Sequence, residues 1–192
     1  MSSDAERAAW DRRYRQGSHS SREPDAFLVH AYEEFIGPLF PSAGAALDLA
    51  GGVGRHAIFL AQRGWHVTLT DISAVGIQRG RSAADKYQPC IDFVVGDARE
   101  LSADQEFDLA LVFFYLEREL FPTIAKALRP GGLVIYKTYT CEHQKFSTKG
   151  LSHPMYFLDP NELLQAFPGF HVLHYHETVR EKGIAELVAR KP

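Results

Sequence analysis

Three glycines in four residues, Gly51, Gly52 and Gly54, follow a short apolar run that carries a single carboxylate, Asp48. A glycine turn leaves the backbone bare, so a ligand can approach main chain that a side chain would otherwise shield. Beyond the turn, Ala57, Ile58, Leu60 and Ala61 recur at helical spacing. A helix starting there presents unpaired N–H groups and the positive end of its dipole to the crevice. Strand, glycine turn and helix in that order open an α/β nucleotide-type site. Two more carboxylates close β-rich runs downstream, Asp71 after Trp65–Thr70 and Asp97 after Ile91–Gly96. An acid at the tip of the second strand can accept from both hydroxyls of a ribose, each charged bond being worth roughly 1.5–3 kcal/mol. The purely structural alternative for Asp71 is a helix N-cap, which Ser73 could supply equally well.

Two cofactor classes use a turn of this kind. Gly52-x-Gly54-x-x-Ala57 fits the relaxed dinucleotide fingerprint, with Asp71 at about the distance of a ribose-binding acid, so a nicotinamide cofactor is open. The charge of Asp48 argues the other way. A carboxylate at that strand end repels a pyrophosphate and attracts a cation, and S-adenosylmethionine carries both a sulfonium and an ammonium.

The string LDLAGGVGRH resembles the first motif of the class I S-adenosylmethionine-dependent methyltransferases, whose common form is acid-x-Gly-x-Gly-x-Gly. Ala50 stands where the first glycine is expected, a mild departure provided its φ is negative. LRPGGLVIYK resembles the turn and fifth strand of the same family, and WDRRYRQG resembles the N-terminal segment that folds over the cofactor in many small-molecule members. Taken whole, the chain is similar to the small bacterial enzymes grouped with tellurite-resistance and thiopurine-type methyltransferases. The resemblance implies S-adenosylmethionine as cofactor and S-adenosylhomocysteine as product. Asp48, Ala50, Gly51, Gly52 and Gly54 would form the turn, Asp71 and Ile72 the ribose side, Asp97 and Ala98 the adenine side, with Phe113 at the end of the fourth strand. Trp10 and Tyr14 would close over the cofactor, an aromatic face beside a sulfonium gaining about 0.5–2 kcal/mol. Without that role they are an aromatic pair docked on the domain edge.

The elements that must position these residues are legible in outline. Residues 1–41 read as an N-terminal helical lid and 42–192 as an α/β core, together one domain. Within the lid, Pro24 to Phe40 reads as a helix with an apolar stripe, ended by Gly37, Pro38 and Pro41. Ser73 to Tyr87 reads as a helix broken by Pro89. Cys90 follows Pro89, a dipeptide some RNA cytosine methyltransferases use as nucleophile, but here it precedes a strand and reads as structural. Phe107 to Tyr115 is apolar enough for a central strand covered on both faces. Glu117 to Leu128 reads as a helix, Pro130-Gly131 as the centre of a type II turn, and Leu133 to Tyr139 as the fifth strand. Phe170–Val179 and Gly183–Arg190 alternate with no room for a helix between them, so they form an antiparallel hairpin. The expected fold is a doubly wound, mostly parallel seven-stranded sheet closed by that C-terminal hairpin, the Rossmann-like methyltransferase fold.

The acceptor side is less marked. Thr140 to Pro160 spans about twenty residues without periodicity, and holds Phe146, Met155, Tyr156, His143 and His153. It reads as a lid over the acceptor. Methyl transfer from a sulfonium needs chiefly orientation, and a base only where the acceptor arrives protonated. His143 and Glu117 are the candidates, His143 the better because its pKa lies near neutral. No metal site is expected: His174 and His176 share a strand face without a third ligand.

The formal charge is −3, from 24 acidic and 21 basic residues with no basic block, which gives no footprint for a nucleic acid partner. The 2 cysteines, Cys90 and Cys141, form no disulfide framework. No signal peptide or membrane-length apolar run is read, so a cytoplasmic location and no membrane partner are expected. A small-molecule methyltransferase is the preferred reading. A nicotinamide-dependent oxidoreductase and a non-catalytic S-adenosylmethionine-binding regulator stay open. Oligomeric state is not legible.

Overall fold

A computed structural model describes residues 3–19, 21–85, 90–102, 104–146 and 154–192. Tyr87, Pro89 and His153, singled out above, lie outside them. The chain divides into two compact units, residues 1–102 and 103–192. Numbered in chain order, seven strands make one mixed sheet in the order β3-β2-β1-β4-β5-β7-β6. The fold is α/β, mostly parallel, with the antiparallel C-terminal hairpin expected from the sequence.

The first unit holds α1 (Ser3–Arg15), α2 (Ala26–Ala31), α3 (Gly37–Leu39), β1 (Ala45–Leu49), α4 (Arg55–Ala61), β2 (His66–Asp71), α5 (Ala74–Ala84) and β3 (Ile91–Val95). β1 pairs parallel with β2, and β2 parallel with β3, in a register that sets Leu49 beside Thr70 and Asp71 beside Val95. Leu47, Leu49, Val67 and Leu69 are buried, as strands covered on both faces require. The stripe read as one helix from Pro24 is broken differently. Asp25 is the N-cap of α2, accepting from the Phe27 N–H at 2.9 Å, so Pro24 stands outside. A π-helical turn, Tyr32–Ile36, then leads into α3, which contains Gly37 and Pro38 instead of ending at them. Pro38 has no N–H to donate to the carbonyl four residues back, and the wider turn, closed by Gly37 N–H to Tyr32 O, accommodates it.

The second unit holds β4 (Phe107–Phe113), α6 (Phe121–Ala127), β5 (Leu128–Tyr139), α7 (Glu162–Gln165), β6 (His171–Thr178) and β7 (Ile184–Arg190). β4 runs parallel to β5, while β7 pairs antiparallel with both β5 and β6. β4 stops two residues earlier than its apolar run, because Phe114 turns into the left-handed region at φ +59°. The helix expected from Glu117 starts as a 3-10 turn, Arg118–Leu120, and becomes α-helical at Phe121. Pro122 occupies the first turn, where its missing N–H costs nothing. Gly131 has φ +81°, the positive value the Pro-Gly turn requires. α7 escaped the sequence reading: four residues are too few to show a period. Among the described residues no helix is long and apolar enough to cross a membrane.

Candidate functional site

In the first unit, three carboxylates stand on three neighbouring strands. Asp48 lies in β1, Asp71 ends β2, and Asp97 follows β3; their exposures are 1%, 6% and 8%. Each already has backbone work. Gly54, the N-cap of α4, has no side chain to offer, and Asp48 Oδ2 supplies the cap instead, accepting from Ala57 N–H at 3.2 Å. The N–H groups that the sequence suggested were open to a ligand are therefore partly spoken for. Asp71 ties the turn to β2, its Oδ2 accepting from Gly52 N–H at 2.9 Å and its Oδ1 from Ser73 N–H at 2.8 Å. Ser73 is itself the N-cap of α5, accepting from Gly76 N–H at 3.0 Å. Ser73 therefore supplies the cap, and Asp71 braces the glycine turn.

Close approach explains the glycines. A Cβ on Gly51 would stand 2.7 Å from the carboxyl carbon of Asp48, and Gly52 adopts φ +60° with the Tyr14 phenol lying directly against it. Ala50 departs from expectation, because its φ is +55°, not negative. The chain must reverse immediately after β1, and this residue takes the left-handed conformation in spite of its Cβ.

Burial pushes Asp48 up to about 7, with the charge of Asp71 adding to it, and pushes Asp71 up to about 6 against the lowering effect of its two backbone bonds. Asp97 moves the other way: the Arg99 guanidinium, the Arg99 N–H and the Ser3 hydroxyl hold it well below the usual carboxylate range. Its bonds to Arg99 run at 2.6–3.0 Å and that from Ser3 Oγ at 2.8 Å. A ligand amine at Asp97 would have to share this carboxylate, a constraint the sequence did not reveal. Ala98, next in the chain, is 7% exposed, and Ile72 is half-buried beside Asp71.

The helix α1 lies along the ends of β2 and β3. Ser3 reaches Asp97, Glu6 pairs with Arg99 at 3.1 Å, and Asp11 accepts from Ser73 Oγ at 2.5 Å and Val75 N–H at 3.3 Å. Tyr14, 5% exposed, closes over Gly52 and Gly76. Burial and the charges of Asp71 and Asp48 raise its phenol, so it stays protonated between two acids. Trp10 packs on Tyr14 at 5.8 Å and on His19 at 5.3 Å, with Arg13 over its ring at 4.6 Å. The sequence reading found the two aromatics but missed Ser3, Glu6 and Asp11, whose polar types carry no signal on an exposed-looking helix.

In the second unit, the ends of β4 and β5 carry an aromatic cluster. Phe114 packs on Tyr139 at 5.1 Å, Tyr139 on His143 at 4.2 Å, and His143 on Phe157 at 6.3 Å. Lys137 pairs with Glu186 at 2.8 Å and lies 5.8 Å from the Phe114 ring. Burial, with Lys182 nearby, lowers His143, and its Nδ1 has no hydrogen-bond partner among the described residues. Phe113, 8% exposed, ends β4, and Glu117 heads the 3-10 turn. The segment read as an acceptor lid is anchored by Arg118, which forks onto Glu162 at 2.5 and 2.8 Å and donates to Met155 O at 3.1 Å and Phe157 O at 2.9 Å. Nothing in the spacing of Arg118 signalled this. Among the described residues, no group of three His, Cys, Asp or Glu is placed to hold a metal.

Residues 46–132 match the family described as "Methyltransferase domain". The chain is 27% identical over 163 residues to YqeM of Bacillus subtilis (strain 168), covering 76% of this chain and 64% of that protein. It is 29% identical over 132 residues to the tRNA 5-carboxymethoxyuridine methyltransferase of Escherichia coli (strain K12), covering 64% and 51% respectively. Its fold is shared with TehB from Haemophilus influenzae at a TM-score of 0.72, with 19% identity, over 94% of this chain and 66% of that one. The fold is the Rossmann-like methyltransferase fold, and the matched stretch is similar to a methyltransferase domain. It spans no more than 64% of the length of either curated relative. The family's cofactor is S-adenosylmethionine, and the donor set fits it. Two buried acids, Asp48 and Asp71, beside the bare Gly51–Gly52 turn suit a cationic nucleoside ligand of that kind.

Proposed function

We propose that the chain transfers the methyl group of S-adenosylmethionine to a small-molecule acceptor, with S-adenosylhomocysteine as the second product. The observation that carries this reading is the pair of buried carboxylates, Asp48 and Asp71, on either side of a bare glycine turn. Beyond their backbone bonds, two acids whose pKa values burial has raised favour a positive ligand that ionises them, and a dinucleotide pyrophosphate would do the reverse. S-adenosylmethionine supplies an activated methyl on a sulfonium, ready for in-line displacement.

The residues then have simple work. Asp48 and Asp71 hold the positive and ribose ends, the latter through lone pairs its two backbone bonds leave unused. The Gly51–Gly52 backbone and the Ala98 N–H meet the nucleoside, with Asp97 shared between Arg99 and the adenine amine. Tyr14 and Trp10 on α1 exclude water and present aromatic faces to the cation. Orientation supplies most of the barrier reduction, roughly 7–11 kcal/mol. Where the acceptor arrives protonated, His143 is the candidate base, since its lowered pKa leaves the ring neutral near pH 7; Glu117 is the alternative. The net charge of −3 supports a small acceptor over a polyanion, although one relative acts on tRNA.

Titration calorimetry with S-adenosylmethionine, S-adenosylhomocysteine and NAD tests the cofactor, and turnover with thiols, selenite, tellurite and bulk tRNA tests the acceptor. The reading expects both adenosyl ligands to bind, NAD not to bind, and S-adenosylhomocysteine to be produced with at least one small acceptor. Binding without turnover on any of them would favour a regulator, and product with tRNA alone would overturn the small-molecule assignment. Asp71→Ala should weaken cofactor binding ten-fold or more, at about 1.4 kcal/mol per decade; unchanged affinity in the folded variant would remove Asp71 from the site.

A further inference from the structure

At the opposite ends of β2 and β3 from the carboxylates, a second set of reactive groups comes together. The parallel register sets Val67 beside Ile91, so the residues preceding them, His66 and Cys90, are also neighbours. The Cys90 carbonyl accepts from Val67 N–H at 3.0 Å, which pins the cysteine there. Alternate residues on a strand share a face, so Cys90 and Asp92 flank the His66 ring. Cys90 Sγ lies 3.1 Å from His66 Nδ1, and His66 Nε2 lies 2.7 Å from Asp92 Oδ2. All three residues are exposed. A thiol on one ring nitrogen and a carboxylate on the other is the arrangement that activates a cysteine: the carboxylate fixes the tautomer, and the free nitrogen takes the thiol proton.

We propose that Cys90, with His66 as base and Asp92 as positioning residue, is a nucleophilic thiol site that accepts a small-molecule disulfide and carries half of it as a mixed disulfide. The Cys90 S–H proton passes to His66 Nδ1. The thiolate attacks one sulfur of the disulfide, the Cys90–sulfur bond forms as the original sulfur–sulfur bond breaks, and the departing thiolate takes the proton back from the imidazolium. Electrons balance within the exchange, and a second thiol reverses it. The site lies about 16 Å along β2 from Asp71, at 3.3 Å per residue, and stands apart from the methyl-transfer reading.

The test leaves Cys90 as the single thiol by Cys141→Ser and follows addition of one glutathionyl group from oxidised glutathione by intact-protein mass spectrometry. His66→Gln in that background should slow the second-order rate by about five-fold or more, less than the roughly 10²–10⁴-fold of full general-base catalysis because a thiol is already a good nucleophile without a base. Asp92→Ala should slow it by about three-fold, while Asp92→Asn, whose amide oxygen still accepts from the ring, should recover at least half the loss. His66, Cys90 and Asp92 are exposed and Cys141 is half-buried, so thermal melts should confirm unchanged folding. A smaller loss in His66→Gln, or a Cys90 that reacts no faster than a peptide of the same local sequence, overturns the proposal. An Asp92→Asn variant as slow as Asp92→Ala overturns the positioning role.

Discussion

Asp48 and Asp71 show what two buried acids cost the fold that holds them. In the folded chain they titrate at about 7 and about 6, against roughly 4 when unfolded. Between those values the native state holds more protons than the unfolded one. Their stabilising contribution is therefore complete below about pH 4 and lost as pH rises through 6 and 7. Denaturant titrations without ligand should show that decline, and Asp48→Asn should flatten it and be the more stable protein at pH 8. Calorimetry should show the converse for S-adenosylmethionine, which needs the ionised acids: affinity tightening between pH 5.5 and 7.5 in the wild-type chain, weak and level in Asp48→Asn. Ala50 carries a second local cost. Its φ of +55° is strained for any residue with a Cβ, by about 1–2 kcal/mol. Ala50→Gly should recover a net 0.5–1 kcal/mol or so, once the looser unfolded chain is allowed for. The melting temperature should rise by about 1–4 °C with cofactor affinity retained.

At the scale of elements, α1 is held by polar contacts at intervals along its length, to Asp97, Arg99 and Ser73, before Tyr14 closes the turn. A helix fastened this way releases by breaking those hydrogen bonds and withdrawing Tyr14 from against Gly52 and Gly76. Asp11→Ala removes the acceptor for Ser73 Oγ and Val75 N–H, and losing one charged bond is worth about a decade in rate. Stopped-flow measurement should show S-adenosylhomocysteine leaving about ten-fold faster, with faster amide exchange in α1 and little change in association. The elements themselves were legible wherever a period or a breaker residue wrote them down. The strand tips at Asp48, Asp71 and Asp97, the Pro130-Gly131 turn and the hairpin from Phe170 all follow from local pattern. What stayed hidden depends on partners distant in sequence. Arg99 neutralises Asp97, Arg118 grips Glu162, and His66 meets Cys90 only because the β2–β3 register brings them side by side. The sign of φ at Ala50 and the π turn before Pro38 were equally out of reach, since both are set by what the backbone must do next.

For the molecule as a whole, the decisive quantity is which ligand stabilises it. A ligand that binds only the native state adds RT ln(1 + [L]/Kd), about 2.7 kcal/mol at a hundred times Kd. For a chain of this size, each kcal/mol moves the melting temperature by about 2–4 °C, so saturating S-adenosylhomocysteine should raise it by roughly 5–11 °C. NAD at the same excess should leave it unmoved, because its pyrophosphate meets Asp48. Ionic strength then separates the two kinds of acceptor. A polyanionic acceptor is held by counterion release, and its apparent affinity falls steeply with salt, by about 10³–10⁵ between 50 and 200 mM for six to ten phosphate contacts. A small acceptor makes few such contacts, so the ratio of kcat to KM should change by less than about three-fold over the same range. A balance of 24 acidic residues against 21 basic ones favours the shallow profile. A shallow salt profile measured alongside a large thermal shift with S-adenosylhomocysteine therefore ties the cofactor and the class of acceptor to the same molecule; a steep one would redirect the search to tRNA.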